Sequence, residues 1–107
     1  MPVTEIDSKE QLQKILEEAG DGLVVVKFFA TWCGPCRMMA PKFLKLSNEY
    51  TGVTCVEIDV DEQEELVQAY DVNVMPTFVF VKKGQENFIL EGNNFEELKK
   101  NFEERSK

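Results

Sequence analysis

The chain is 107 residues long, and 43% of its residues are hydrophobic and 30% charged, which fits one compact globular domain over residues 1–107. Its formal net charge is −8, and an acidic surface repels phosphate backbones and anionic lipids, so nucleic-acid and membrane partners are disfavoured. Residues 1–11 show neither a basic nor an apolar segment, and no apolar run reaches the length of a membrane span, so we expect a cytoplasmic protein.

The first part of the chain alternates short strands with a helix. Residues 3–6 have the pattern of a short strand. A helix is then predicted to start at Ser8, which has Gln11 at the capping-box spacing, and to stop at Gly20. Residues 23–30, LVVVKFFA, are an almost continuous run of β-branched and aromatic side chains. Such a run indicates a strand that is buried on both faces.

The middle of the chain continues this alternation. Residues 37–50 predict a second helix, in which Pro41 removes one backbone donor and therefore predicts a kink. Residues 53–60 predict another strand. Asp61 follows it and is placed to cap a third helix over residues 62–70.

The last part of the chain predicts a hairpin and a closing helix. Residues 77–92 read as two strands that turn at Lys83 and Gly84. Asn94 is placed to cap the last, amphipathic helix, with Glu97 three residues later. The order β-α-β-α-β-α-β-β-α predicts an α/β fold, a mainly parallel, mixed five-stranded sheet flanked by four helices. In such sheets functional groups collect at the carboxyl ends of the strands.

Two cysteines follow one of these strand ends. Cys33 and Cys36 are three residues apart at a strand-to-helix junction, where Cβ atoms about 5–6 Å apart allow a disulfide to form with modest adjustment. The free N–H groups and the positive end of the helix dipole favour a thiolate at Cys33, and Pro35 suits the first helical turn. We therefore expect Cys33 to be the exposed attacking thiol and Cys36 the more buried resolving thiol.

Other uses of the cysteines fit this sequence less well. A closed zinc site needs four ligands, and the chain has no histidine and one further cysteine, Cys55. A purely structural disulfide is uncommon without a secretion signal. Thiol–disulfide exchange is thus favoured, and no metal is expected. We interpret Cys55 as a small core residue rather than a regulatory or dimerising thiol.

The segments VVVKFFATWCGPCRMMAPKF, MPTFVFVKKG and EGNNFEEL resemble the thioredoxin family, and the element order resembles its fold from end to end. Trp-Cys-Gly-Pro-Cys is the specific active-site motif of that family. The resemblance implies a protein-disulfide reductase that is itself reduced by a thioredoxin reductase, an enzyme that oxidises NADPH through a flavin. It implies protein disulfides, such as those of peroxiredoxins, as substrates and no cofactor in this chain, which we expect to be a monomer.

The resemblance also implies a substrate groove beside the two cysteines. It implies that Trp32 flanks the attacking sulfur with Asp61 as partner of its indole N–H, and that Pro76 is a cis-proline opposite the disulfide. The backbone of Met75 would then pair with an extended substrate segment. Asn93 stands where the family usually has alanine, at the far wall of the groove. The implied substrate-binding residues are Trp32, Gly34, Pro35, Met75, Pro76, Gly92 and Asn93.

Lys27 departs from the family, which nearly always has a buried aspartate here that assists deprotonation of the resolving cysteine. An edge strand with the lysine head in water is one alternative, but the apolar run around Lys27 indicates a buried strand. A buried ammonium needs a partner, and strand periodicity within the family's sheet puts Glu57 on the same face. We therefore expect a Lys27–Glu57 pair that takes part in proton transfer.

This pair changes the expected proton pathway. Glu57 acting through a water, or Lys27 in its neutral form, becomes the candidate acceptor of the Cys36 proton. A nearby cation also favours thiolates and makes the dithiol a weaker reductant.

Two further functions remain open at this point. The first is a disulfide oxidase or isomerase of the same fold, which would suit an oxidising compartment. The second is a redox-gated docking subunit, in which the fold binds a partner. The absence of a secretion signal counts against the first, and the intact cysteine pair with Trp32 and Pro76 counts against a purely non-catalytic role.

Overall fold

The computed structural model of the chain describes residues 3–107; Met1 and Pro2, part of the expected domain over 1–107, lie outside the described residues. The described residues form five strands and four helices in the predicted order. The strands are β1 Thr4–Glu5, β2 Val24–Phe29, β3 Thr54–Asp59, β4 Thr77–Val81 and β5 Phe88–Glu91. The helices are α1 Lys9–Ala19, α2 Gly34–Glu49, α3 Glu64–Ala69 and α4 Phe95–Arg105.

The strands form one mixed sheet in the order β1-β3-β2-β4-β5. Strands β1 and β2 both run parallel to β3, whereas β4 runs antiparallel to β2 and to β5. The sheet is mixed, as predicted, because the hairpin of β4 and β5 adds antiparallel pairings at one edge, beside the central strand β2. In the parallel pair of β2 and β3, Lys27 lies opposite Glu57.

Each face of the sheet is covered by two helices. Helices α2 and α4 cover one face, where Phe43 contacts Phe78 and Phe102 with ring centroids 5.4 and 6.1 Å apart. Helices α1 and α3 cover the other face through Leu12 and Leu66. Removing these apolar side chains from water is the main stabilising contribution to the fold.

Most of the predicted caps and turns are present. Ser8 Oγ accepts a hydrogen bond from Gln11 N–H at 3.0 Å, although the Gln11 side chain reaches Asp7 N–H rather than that of Ser8. Asn94 Oδ1 accepts from Glu97 N–H at 3.1 Å. The hairpin turns as expected at Lys83 and Gly84, where Gln85 N–H donates to Lys82 O at 3.0 Å.

Two helices differ from their predicted bounds. Helix α2 begins at Gly34, three residues earlier than predicted, and continues through Pro41. The prediction that Asp61 caps α3 is wrong, because this helix begins at Glu64 behind Gln63. The residues between β3 and α3 form a turn. In this turn the carboxylate Oδ1 of Asp59 accepts a hydrogen bond from Asp61 N–H at 2.9 Å. No helix within residues 3–107 has the length and apolar character needed to cross a membrane.

Candidate active site

The two motif cysteines meet at the N-terminus of α2, just beyond the end of the central strand β2. Cys33 occupies the N-cap position, and its Sγ accepts a hydrogen bond from Cys36 N–H at 3.1 Å. The two residues are joined by a disulfide with their Cα atoms 5.3 Å apart. The first helical turn therefore brings both sulfurs together and directs backbone N–H groups at Cys33.

The accessibility of the attacking cysteine differs from the prediction. Cys33 is 6% exposed and Cys36 is 3% exposed. Cys33 is therefore the more accessible of the two cysteines, as expected, but it is buried and not exposed. Both sulfur-bearing residues pack in a small apolar cluster with Ala30, against which Phe29, Val60 and Met75 lie. Only a small part of Cys33 is therefore accessible to a substrate.

Trp32 forms an exposed wall beside the disulfide. Its side chain is 63% exposed, and its indole Nε1–H donates to Asp61 Oδ2 at 2.8 Å. This contact joins the loop before α2 to the loop after β3, as the resemblance implied. Asp61 lies two residues before Gln63, the N-cap of α3, and its carboxylate binds the indole of Trp32 instead.

A second loop lies opposite the disulfide. The Met75–Pro76 peptide bond is cis, and the carbonyl oxygen of Met75 lies 3.7 Å from Cys33 Sγ. Gly92 N–H donates to Pro76 O at 2.8 Å, and its φ of +94° favours glycine. Asn93 follows as an exposed side chain. The structure thus brings Met75 next to Cys33 and joins Gly92 to the neighbouring Pro76.

Other residues of this region complete the surroundings of the disulfide. Gly34 and Pro35 are exposed in the first turn of α2. Two residues of this region were not predicted: Val74, which is 42% exposed beside Met75, and Val60, which packs on the disulfide cluster. The signal for Val74 was its position directly before the Met-Pro pair, and that for Val60 was its position at the end of a predicted strand.

Lys27 is buried beneath this site. It is 4% exposed in the central strand β2, so the edge-strand alternative is wrong. Its Nζ lies 3.5 Å from Glu57 Oε1, and the Glu57 side chain is 27% exposed. The ammonium group also lies 5.3 and 5.5 Å from the ring centroids of Phe29 and Phe43. Because Phe29 also packs on the disulfide cluster, one aromatic ring connects the cation with that cluster.

The third cysteine lies away from this site. Cys55 is a free thiol, 4% exposed, and belongs to the core under α2 and α4. Burial raises the pKa of the Cys55 thiol from 9.0 to about 12. The side chain therefore has the surroundings of a small core residue.

Comparisons with known proteins agree with this geometry. The family model named Thioredoxin matches residues 3–104. Thioredoxin of Callithrix jacchus is 49% identical over 96 residues, which cover 90% of this chain and 91% of that protein. The X-ray structure of Fasciola hepatica thioredoxin superposes with a TM-score of 0.91 at 40% identity, covering 97% of this chain and 99% of the other.

A further solved structure concerns the thiol resolving mechanism in yeast mitochondrial 1-Cys peroxiredoxin via glutathione/thioredoxin systems. It superposes with a TM-score of 0.86 at 34% identity and covers 94% of this chain and 93% of that one. The similarity therefore extends over almost the whole chain and is not confined to the Cys-Gly-Pro-Cys segment. This chain belongs to the thioredoxin family and is a thiol–disulfide oxidoreductase.

Proposed function

We propose that this protein reduces disulfides of other proteins through Cys33 and Cys36 and is itself reduced by a reductase that oxidises NADPH through a flavin. The observation that carries the proposal is the Cys33–Cys36 disulfide at the N-terminus of α2, opposite the Met75 carbonyl. This disulfide is reduced to a dithiol by two electrons from the reductase. The dithiol then passes these two electrons on to a substrate disulfide.

In the first step, Cys33 of the reduced protein attacks one sulfur of the substrate disulfide. A bond forms between Cys33 Sγ and that sulfur, and the second substrate sulfur leaves as a thiolate. The Cys36 N–H group, which points at Cys33 Sγ over 3.1 Å, stabilises the negative charge on the attacking sulfur, as does the helix dipole.

In the second step, Cys36 attacks Cys33 Sγ and releases the first substrate sulfur as a thiolate. The protein then holds the Cys33–Cys36 disulfide, and the substrate has gained two electrons. Cys36 must lose its proton for this attack. We assign the proton acceptor to Glu57 acting through a water, with Lys27 as a positioning residue whose cation favours thiolate at the buried cysteine.

The groove around Cys33 supports substrates that present an extended segment. The Met75 backbone lies beside Cys33 Sγ, and an extended chain pairs with such a free backbone by strand addition. Trp32, Gly34 and Pro35 would form one side of the contact, and Pro76, Gly92 and Asn93 the other. The exposed Trp32 ring offers the largest apolar area for docking.

Peroxiredoxins are a candidate class of substrate, because the yeast structure described above links such an enzyme to the thioredoxin system. We further propose that the protein acts as a monomer in the cytoplasm. A reducing compartment suits a chain that combines a reactive dithiol with the free thiol of Cys55.

The proposal is tested by an NADPH-coupled assay with insulin and a thioredoxin reductase. We expect NADPH oxidation that depends on this protein and is abolished in Cys33→Ser. Absence of turnover with every reductase tried, in a protein that binds its partners, would favour the docking subunit. Net formation of disulfides in a reduced substrate at the glutathione potential would favour the oxidase or isomerase.

A further inference from the structure

Helix α2 has an unusual outer surface next to the reactive disulfide. Met38 is 63% exposed and Leu44 is 42% exposed, and Pro41 lies exposed between them. Residues spaced three apart on a helix are neighbours and form an inclined ridge. We call this ridge, with the cationic residues Arg37 and Lys45 beside it, the α2 outer face. It begins within one turn of Cys36.

The charge of this helix is opposite to that of the rest of the molecule. Helix α2 contains three cationic side chains and one carboxylate, whereas α1, α3 and α4 each contain more carboxylates than cations. The whole chain has a net charge of −8. The α2 outer face is therefore a local cationic surface on an acidic protein.

The two cations of the α2 outer face form no salt bridge with the described residues 3–107. The ion pair found among residues 3–107 is that of Lys27 and Glu57, so no carboxylate in this part of the chain lies within salt-bridge distance of Arg37 or Lys45. The third cation of the helix, Lys42, lies over the Phe95 ring at 5.3 Å. Arg37 and Lys45 are thus free to contact a carboxylate of another molecule.

The opposite side of the disulfide is acidic. Asp61 is held beside Trp32 by the indole hydrogen bond, and its backbone N–H is bound by the carboxylate of Asp59. Glu62 follows as an exposed side chain. A negatively charged segment near the disulfide is consequently repelled from the β3–α3 loop and attracted towards α2.

We propose that the α2 outer face binds an acidic, amphipathic segment of the substrate protein, one that carries carboxylates and an apolar side chain close to the disulfide to be reduced. The apolar side chain contacts the Met38–Leu44 ridge, and the carboxylates contact Arg37 and Lys45. This inference rests on the proposed function, because the segment reaches α2 only when the substrate disulfide lies at Cys33.

The test uses two synthetic peptides that contain the same internal disulfide. One peptide carries a flank of glutamates and one leucine, and the other carries lysines in place of the glutamates. The fully reduced protein is mixed with each peptide, and the rate constant of reduction is followed through the fluorescence of Trp32, the single tryptophan of the chain.

We expect the glutamate peptide to be reduced about tenfold faster than the lysine peptide at low ionic strength. The ratio should approach one in about 1 M salt, where the Debye length is about 3 Å. In Arg37→Glu/Lys45→Glu the ratio should invert. Any change in the reactivity of Cys33 itself cancels in this ratio, since it affects both peptides.

The matched control is Lys9→Glu/Lys14→Glu, which changes the net charge equally on α1, across the sheet. It should keep the preference of the wild-type protein. Equal rates for both wild-type reactions, faster reduction of the lysine peptide, or an equal loss of preference in the control would overturn the proposal. Equal rates accompanied by concentration-dependent dimerisation that the α2 variant abolishes would assign the face to a second copy of the chain.

The outcome also separates this inference from the proposed function. If the wild-type protein reduces both peptides at equal rates, disulfide reduction stands and the α2 contact is wrong. If it reduces neither peptide, the proposed function itself is wrong. The wild-type comparison decides both points even where a variant does not fold.

Discussion

The ammonium group of Lys27 lies over the rings of both Phe29 and Phe43 and has the Glu57 carboxylate 3.5 Å away. A cation at this depth is stable only with such a partner. Its distance of 5.3 Å from the ring of Phe29, a residue that packs against the cluster of Cys33 and Cys36, suits a residue that acts on the sulfurs through the electrostatic potential rather than by contact.

Replacing this cation should make the dithiol a stronger reductant. In Lys27→Met the thiolates of the reduced protein lose a stabilising charge, so we expect the reduction potential to become more negative by about 30 mV, which corresponds to about tenfold in the equilibrium constant. The potential is measured by equilibration with glutathione. Lys14→Met removes a charge from the exposed surface of α1 and serves as control.

Lys27→Asp extends this test to proton transfer. A carboxylate in place of the cation should shift the pH dependence of the rate of insulin reduction as well as the potential. If neither variant moves the potential or the pH profile relative to Lys14→Met, Lys27 has no part in the chemistry and contributes to the structure alone.

Cys55 affects stability rather than reactivity. Its folded-state pKa is about 12 against an ordinary 9.0, because burial disfavours the thiolate. In the unfolded chain the thiol ionises from about pH 9 upwards, whereas in the folded protein it stays protonated up to about pH 12. The contribution of Cys55 to stability is therefore fully present below pH 9 and is lost as the pH rises towards 12.

This loss is measurable with the oxidised protein, in which Cys33 and Cys36 do not titrate. The advantage of the wild-type protein over Cys55→Ala in free energy of unfolding should shrink by about 1 kcal/mol per pH unit above pH 9. Urea denaturation at pH 8, 9 and 10 gives this difference. A difference that does not change with pH would contradict the burial of the thiol.

At the level of elements, the start of α2 shows where local sequence signals are ambiguous. The apolar pattern predicts the helix only from residue 37, although Pro35 is compatible with a first helical turn. Proline is favoured in a first turn, where its missing N–H is not needed, and the observed helix begins at Gly34 behind Cys33 as N-cap. The early start directs the Cys36 N–H group at the attacking sulfur.

Helix α3 shows the effect of a distant partner. Asp61 is a potential cap by sequence, but its carboxylate accepts a hydrogen bond from the indole of Trp32, which is 29 residues away in the chain. The resemblance to the family implied this hydrogen bond, whereas local capping rules pointed to the wrong role. The local capping rules predicted the correct role for Ser8 and Asn94, because each of these side chains accepts a hydrogen bond from the backbone N–H three residues ahead.

Strand periodicity gave the most informative prediction about the site. The β-branched run around Lys27 indicated a buried strand, and the family's sheet placed Glu57 on its face; the two are register partners in the structure. The accessibility of Cys33 was beyond such rules, because it depends on Val60 and Met75, which come from other parts of the chain. The exposed ridge on α2 was likewise beyond prediction, because it depends on which side of that helix packs on the sheet.

At the scale of the whole molecule, the central strand β2 organises the site. It places Lys27 within the sheet and Cys33 just beyond its end, and its neighbours β3 and β4 bring the Asp61 and Met75 loops to the same edge. The disulfide therefore lies where an acidic loop, a cationic helix and a free backbone segment meet. This arrangement fits a protein that must bind another protein briefly while two electrons are transferred.

The central claim is that Cys33 attacks the substrate and Cys36 resolves the mixed disulfide, and trapping of that intermediate tests it most directly. Each of Cys36→Ser and Cys33→Ser is reduced and mixed with insulin, and the products are analysed by intact-mass spectrometry and peptide mapping. We expect Cys36→Ser to accumulate a mixed disulfide on Cys33 and Cys33→Ser to form none. Accumulation in Cys33→Ser alone, or in neither variant, would contradict the account.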